Sequence, residues 1–127
     1  METRNKNFVV PRLLDLLAKH RIALALIDHP WFYRIDHLLR IPGILTTDFA
    51  YLRWLGDRYK IEEQTKSWDR ILIDRTREMG HWIPAIRKVM EQDRAVYGYF
   101  NNHYAGYAVG SIRYFWELWN RPPGGPG

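Results

Sequence analysis

The sequence predicts an α/β fold built from parallel strand–helix units, and three observations predict it. Residues 22–27 (Ile-Ala-Leu-Ala-Leu-Ile) form an uninterrupted apolar run, the pattern of a strand buried on both faces of a parallel sheet. Runs of this kind alternate with stretches of helical periodicity, the signature of βα units. In Tyr97-Gly-Tyr-Phe-Asn-Asn-His-Tyr-Ala-Gly-Tyr107, an aromatic strand stops at two amides and a histidine, and a helical pattern follows. In open α/β sheets and barrels, ligands bind at the carboxyl edge of the strands, so this stretch locates a site without naming a reaction.

The elements follow in order. Residues 2–5 read as the last residues of a strand. Pro11 suits the first turn of a helix, where its missing N–H costs nothing, and Leu13, Leu14, Leu16 and Leu17 give a short amphipathic helix over 11–20. Residues 22–27 are the next strand, 30–47 a loop carrying Pro30, Pro42 and Gly43, and 49–55 a further strand closed by Gly56-Asp57. After a polar stretch, 57–67, helical periodicity runs from 69 to 92 with Met79, Trp82, Ile83, Ile86 and Met90 on one stripe. Pro84 inside it predicts a kink or break near Gly80. Residues 95–100 are the last strand. Tyr107, Ser111, Tyr114, Phe115 and Leu118 make the last stripe, with Trp116 and Trp119 expected to cover the sheet. This order leaves either an open parallel sheet of three to four strands or part of a (β/α)8 barrel.

Composition sets the bounds. A chain of 127 residues, 46% hydrophobic and 15% aromatic, is one domain with a real core. No apolar run approaches the ~20 residues of a membrane span, so no membrane partner is expected. The charged amino terminus lacks the apolar stretch of a signal peptide. The absence of Cys rules out disulfides and cysteine metal sites, and a cytoplasmic location is expected from it. The formal charge of +5 invites a nucleic-acid partner, but the basic residues are scattered among 14 acids rather than gathered.

Several motifs recur together. Arg4-Asn-Lys-Asn-Phe8, Ala25-Leu-Ile-Asp-His-Pro-Trp31, Asp48-Phe-Ala-Tyr-Leu-Arg53 with Gly56-Asp57, Trp68-Asp69 and Tyr99-Phe-Asn-Asn-His-Tyr-Ala-Gly-Tyr-Ala108 resemble the C-terminal half of the domain of unknown function 72 family, also called YecE-like. The resemblance runs to about Trp119, giving a domain over 1–120 and a disordered Pro/Gly tail over 121–127. It implies a partial TIM-barrel-like domain that starts near the end of the fifth strand and contains the sixth, seventh and eighth. No settled activity comes with it. The likeness of such barrels to sugar isomerases and abasic-site endonucleases is an analogy of fold. A whole barrel needs ~250 residues, so a truncated chain is expected. Half a barrel leaves a strand edge and a sheet face uncovered, and self-association or pairing with a missing N-terminal half is expected.

The candidate site residues are the polar groups at the strand ends: Glu2, Arg4 and Asn5, Asp28 and His29, Arg53 and Asp57, and Asn101, Asn102 and His103. Arg53 lies inside an apolar strand, where an unpaired charge is costly. It either grips a phosphate or carboxylate with its planar fork or pairs with Glu2 or Asp28. Asn101 and Asn102 precede the last helix, whose free N–H groups favour an anion, although an Asn there also serves as a cap. Asp28 and Arg53 are the candidates for catalysis. His29 and His103 with Asp28 raise a metal question, but no tight ligand spacing supports one, and neither a metal nor another cofactor is expected. The resulting expectation is a strand-end pocket for an anionic or phosphorylated small ligand in the full barrel, inactive in the truncated chain. A non-catalytic nucleic-acid or protein-binding module is the alternative.

Overall fold

The computed structural model describes residues 1–121, so the expected tail lies, beyond Arg121, outside the described residues. A 3-10 turn, Lys6–Phe8, leads into α1 (Pro11–Lys19), with Pro11 in its first turn and Leu14 and Leu17 buried. Then come β1 (Ala25–Asp28), α2 (Ile35–Leu38), β2 (Phe49–Trp54), α3 (Arg58–Glu62), α4 (Thr76–Glu91), β3 (Ala95–Phe100), α5 (Asn102–Ala105) and α6 (Ala108–Trp119). Among the described residues the strands form one sheet in the order β1-β2-β3. Both pairings are parallel, with Ala25 beside Tyr51 and Phe49 beside Ala95 at their starts.

Alternation along the strands gives the sheet two unlike faces. Leu26, Ala50, Leu52 and Val96 lie against Trp82, Ala85, Ile86 and Val89 of α4. Asp28, Trp54, Gly98 and Phe100 share that helix-covered face by register. Trp54 is its centre: its ring stacks on Phe100 at 4.1 Å and meets Trp82 at 5.2 Å and Phe115 at 5.4 Å. Aromatic pairs of this kind contribute about 0.5–1.5 kcal/mol each beyond the area they bury. Gly98 makes room for that ring, because a Cβ there would lie 2.7 Å from it. The opposite face carries Phe49, Tyr51, Arg53, Tyr97 and Tyr99. Phe49 meets Tyr97, and Tyr51 meets Tyr99, but both outer tyrosines remain 51% exposed.

Several expectations change. Residues 2–5 form no strand. Met1 alone lies along β1, its amine donating to the Ala23 carbonyl and its carbonyl accepting from the Ala25 N–H, both at 2.7 Å, in the alternation of a parallel ladder. The strand expected over 22–27 starts only at Ala25, and Ile22 is exposed. The loop expected over 30–47 contains α2, whose Ile35 and Leu38 enter the core. The polar stretch contains α3, started by Asp57, which accepts from the Lys60 N–H. The helix expected from residue 69 begins at Thr76 and runs unbroken through Pro84. Gly80 and Pro84 are both exposed, so water can take the carbonyl that proline leaves unpaired. Met90 lies off the buried stripe and Trp116 is 64% exposed, so Trp116 does not cover the sheet.

The turn after β2 depends on Gly56. Its φ is +71°, and a Cβ would meet the His103 carbonyl oxygen at 2.5 Å. Gly43 has a similar φ of +80° with nothing near. We expect G43A to cost about 1 kcal/mol from φ alone. G56A should cost clearly more, because α5 must also move away. Urea unfolding of both variants measures the difference.

Candidate functional site

The carboxyl ends of the three strands meet around Asp28. Its carbonyl accepts the N–H groups of Leu55 and Gly56 just beyond β2, and the Asn101 N–H, just beyond β3, donates to the Trp54 carbonyl at 2.9 Å. The Asp28 carboxyl turns toward the helices. It accepts from Trp82 Nε1 at 3.0 Å and from the Tyr104 hydroxyl at 3.2 Å. Burial raises the Asp28 pKa despite the two donors and the nearby Arg75 charge. Burial, together with the Asp28 charge, also pushes the Tyr104 phenol well above its ordinary range. Arg75 lies over the Tyr104 ring and donates from Nε to the Tyr104 carbonyl at 2.7 Å.

The other expected residues fall into separate groups. Arg53, on the opposite sheet face from Asp28, pairs with Glu2 at 2.5 Å, and Arg4 approaches the same carboxylate at 3.7 Å. His29 lies close enough for Arg4, Asp57, Asp28 and Glu2 to act on it, and burial followed by the Arg4 charge lowers its pKa. Arg4, His29, Arg53 and Asp57 thus gather where β1 and β2 end, with Glu2 among them. Asn5 caps the 3-10 turn, accepting from the Asn7 N–H. Asn101 caps α5 and meets His103 Nδ1 at 2.8 Å. Asn102 accepts from the Ala108 N–H at the start of α6. His103 Nε2 reaches Glu62 at 3.1 Å, and its ring lies 4.8 Å from that of Trp68. Hydrogen bonds from Arg58 and His103 hold the Glu62 carboxyl below its usual range. Among the described residues no group of three or more His, Asp or Glu side chains is arranged to hold a metal ion.

A cleft of ≈ 270 Å³ opens between the end of β1, the segment leading into α2, and the first half of α4. Asp28, His29 and Trp82 line it, together with Arg34, Arg77, Glu78 and His81. Arg34 reaches the His81 ring at 3.3 Å. Sequence reading missed Arg34, Arg77 and His81. Residues 30–47 looked structureless, and no spacing links Arg34 to positions 77 and 81. The four-residue rise from Arg77 to His81 on one helix face was the available signal.

Over residues 1–126 the sequence matches the family described as "Protein of unknown function DUF72". The chain belongs to the DUF72 family. The crystal structure of a DUF72 family protein from Thermotoga maritima shares its fold, with a TM-score of 0.65 and 22% sequence identity, covering 93% of this chain and 44% of that one. This DUF72 chain therefore spans less than half the length of that solved relative. At such identity the likeness speaks for the fold alone. Curated proteins give no match, and no helix among the described residues is long and apolar enough to cross a membrane.

Two substitutions separate the roles of Asp28. D28A leaves the Trp82 and Tyr104 donors without a partner, at an expected cost of about 1–3 kcal/mol for each. D28N keeps an acceptor and removes the buried charge. Because the folded pKa of Asp28 is raised, its contribution is full below the ordinary carboxylate range and declines as pH rises through the raised value. Chemical denaturation across acid to neutral pH should show D28N gaining on wild type as pH rises and D28A destabilised throughout.

Proposed function

We propose that this chain is part of a larger TIM-barrel-like βα domain and contributes an anion-binding pocket at the carboxyl ends of its strands, suited to a phosphate or another small phosphorylated ligand. The observation that carries this reading is the cleft beside β1, where His29, Arg34, Arg77 and His81 come from three separate segments to surround one small volume. Its acidic members weaken the attraction less than their number suggests, because burial disfavours the charged form of Asp28. Arg77, and Arg34 through the part of its guanidinium not engaged by Asp36 at 3.4 Å, supply the planar forks that bind tetrahedral anions through paired hydrogen bonds. Arg53 is held by Glu2 and takes a secondary role, keeping the far side of the strand ends in place beside Arg4 and His29. The barrel reading is supported by the parallel sheet and by a fold shared with a DUF72 protein more than twice as long. We assign no turnover to this chain by itself, since the larger share of that relative has no counterpart in it.

Titration of inorganic phosphate into the 127-residue chain, followed by phosphorus NMR line broadening, tests the reading. Binding should weaken at least tenfold, about 1.4 kcal/mol, in R34A and R77A, and change little in R121A at the far end of α6. Equal phosphate binding in wild type and R34A/R77A, or no binding by wild type, would contradict it.

A further inference from the structure

We propose that the ligand of the cleft beside β1 carries hydroxyl groups next to its phosphate, and that one of them is held by Oδ1 of Asp28. The choice of a hydroxyl deepens the anion-binding reading and rests on it. Both donors to the Asp28 carboxyl, Trp82 Nε1 at 3.0 Å and the Tyr104 hydroxyl at 3.2 Å, end on Oδ2. Oδ1 takes no side-chain hydrogen bond among the described residues. It is not sealed off either. The side-chain polar atoms that are both buried and unpartnered among the described residues are Trp54 Nε1, Arg94 Nε and Ser111 Oγ. Oδ1 is therefore reachable, and Asp28 lines the cleft of ≈ 270 Å³. A carboxyl oxygen withdrawn from bulk water is costly unless it is hydrogen-bonded. The position calls for a partner that the chain does not supply.

The chemistry of that partner follows from the two forms of the carboxyl. Burial raises the Asp28 pKa, so the partner has to suit the protonated group as well as the ionised one. The ionised Oδ1 only accepts. In the protonated group the proton belongs on Oδ1, because Oδ2 already receives two donors, and Oδ1 then donates. A ligand hydroxyl donates to the first form and accepts from the second. An ammonium only donates, and it would stand in the field of Arg75, whose charge acts on Asp28, and in the same cleft as Arg77. A phosphate oxygen is repelled by the ionised form. The rest of the lining agrees. Glu78 faces the cleft and forms no ion pair among the described residues. It repels an inorganic phosphate, but it accepts from a second hydroxyl. Phe32, Tyr33 and Trp82 also line the cleft, and their rings give a short carbon chain an apolar wall. The class of ligand is a phosphate monoester of a polyol, its phosphate on Arg77 and Arg34 and its hydroxyls on Asp28 and Glu78.

Titration of the 127-residue chain with glycerol 3-phosphate and with n-propyl phosphate tests the proposal. The two esters share phosphate and chain length and differ in their hydroxyls. The Trp82 indole N–H resonance is followed alongside, because Trp82 donates to the same carboxyl. Glycerol 3-phosphate should bind at least tenfold more tightly than n-propyl phosphate and shift the indole resonance further at saturation. D28A should bring the two esters to equal affinity. The wild-type comparison carries the test should that variant not fold. Equal affinities of the two esters for wild type, or tighter binding of 2-aminoethyl phosphate than of glycerol 3-phosphate, would overturn the proposal. An advantage for glycerol 3-phosphate that survives in folded D28A would overturn it as well. In each of these cases the phosphate reading still stands if R77A weakens both esters. If neither the esters nor inorganic phosphate binds, both ideas fall.

Discussion

The carboxyl group of Asp28 is the contact on which the strand-end edge depends. Its side chain receives Trp82 from α4 and Tyr104 from α5, and its carbonyl receives the two N–H groups that follow β2. One residue therefore fixes where two strands stop, how α4 leans on the sheet, and how closely α5 approaches the turn at Gly56. A carboxyl removed from water is costly unless hydrogen-bonded, so the arrangement holds only while both donors are present. The Arg75 charge, stacked on Tyr104, offsets part of the remaining cost. The same knot sets one wall of the cleft that His29, Arg34, Arg77 and His81 complete.

The two faces of the sheet explain most of what lies outside that knot. The helix side is closed by Trp54 and its aromatic neighbours, with Gly98 left without a side chain so that the ring can lie across β3. The other side carries buried Ala25 and Ile27 on β1, a tier of aromatics that leaves Tyr97 and Tyr99 half exposed on β3, and an Arg53–Glu2 pair near the strand ends. In parallel sheets both faces are normally covered. Among the described residues β3 is the least covered strand, with Tyr97 and Tyr99 half exposed on one side and an apolar groove between α4 and α6 on the other.

Much of the fold was legible in the sequence because apolar runs of five or six residues between turn signals have few alternatives. β3 appears over 95–100 as expected, and α1 and β2 differ from expectation by one residue. The failures have local causes. α2 lacks a full helical period, so a buried Ile35–Leu38 pair looked like loop. Pro84 signalled a break because sequence does not reveal that the carbonyl it orphans faces solvent. The site was harder to read. Asp28 ends β1, His29 follows it and Arg53 is next to last in β2, but a single pleat separates the faces of Asp28 and Arg53, and only the register puts Asp28 with the helices and Arg53 on the side of Glu2. Asn101 and Asn102 carried two readings, and their side chains are engaged as caps. Arg34, Arg77 and His81 come together only through tertiary packing.

Native-state hydrogen exchange tests most directly whether Asp28 holds the strand-end edge as one unit. If it does, the Trp82 indole N–H and the amides of Leu55, Gly56 and Asn101 exchange with a common opening free energy close to that of global unfolding. If the Leu55 and Gly56 amides exchange through a low-energy local opening while the Trp82 indole stays protected, the strand ends are held by something other than Asp28.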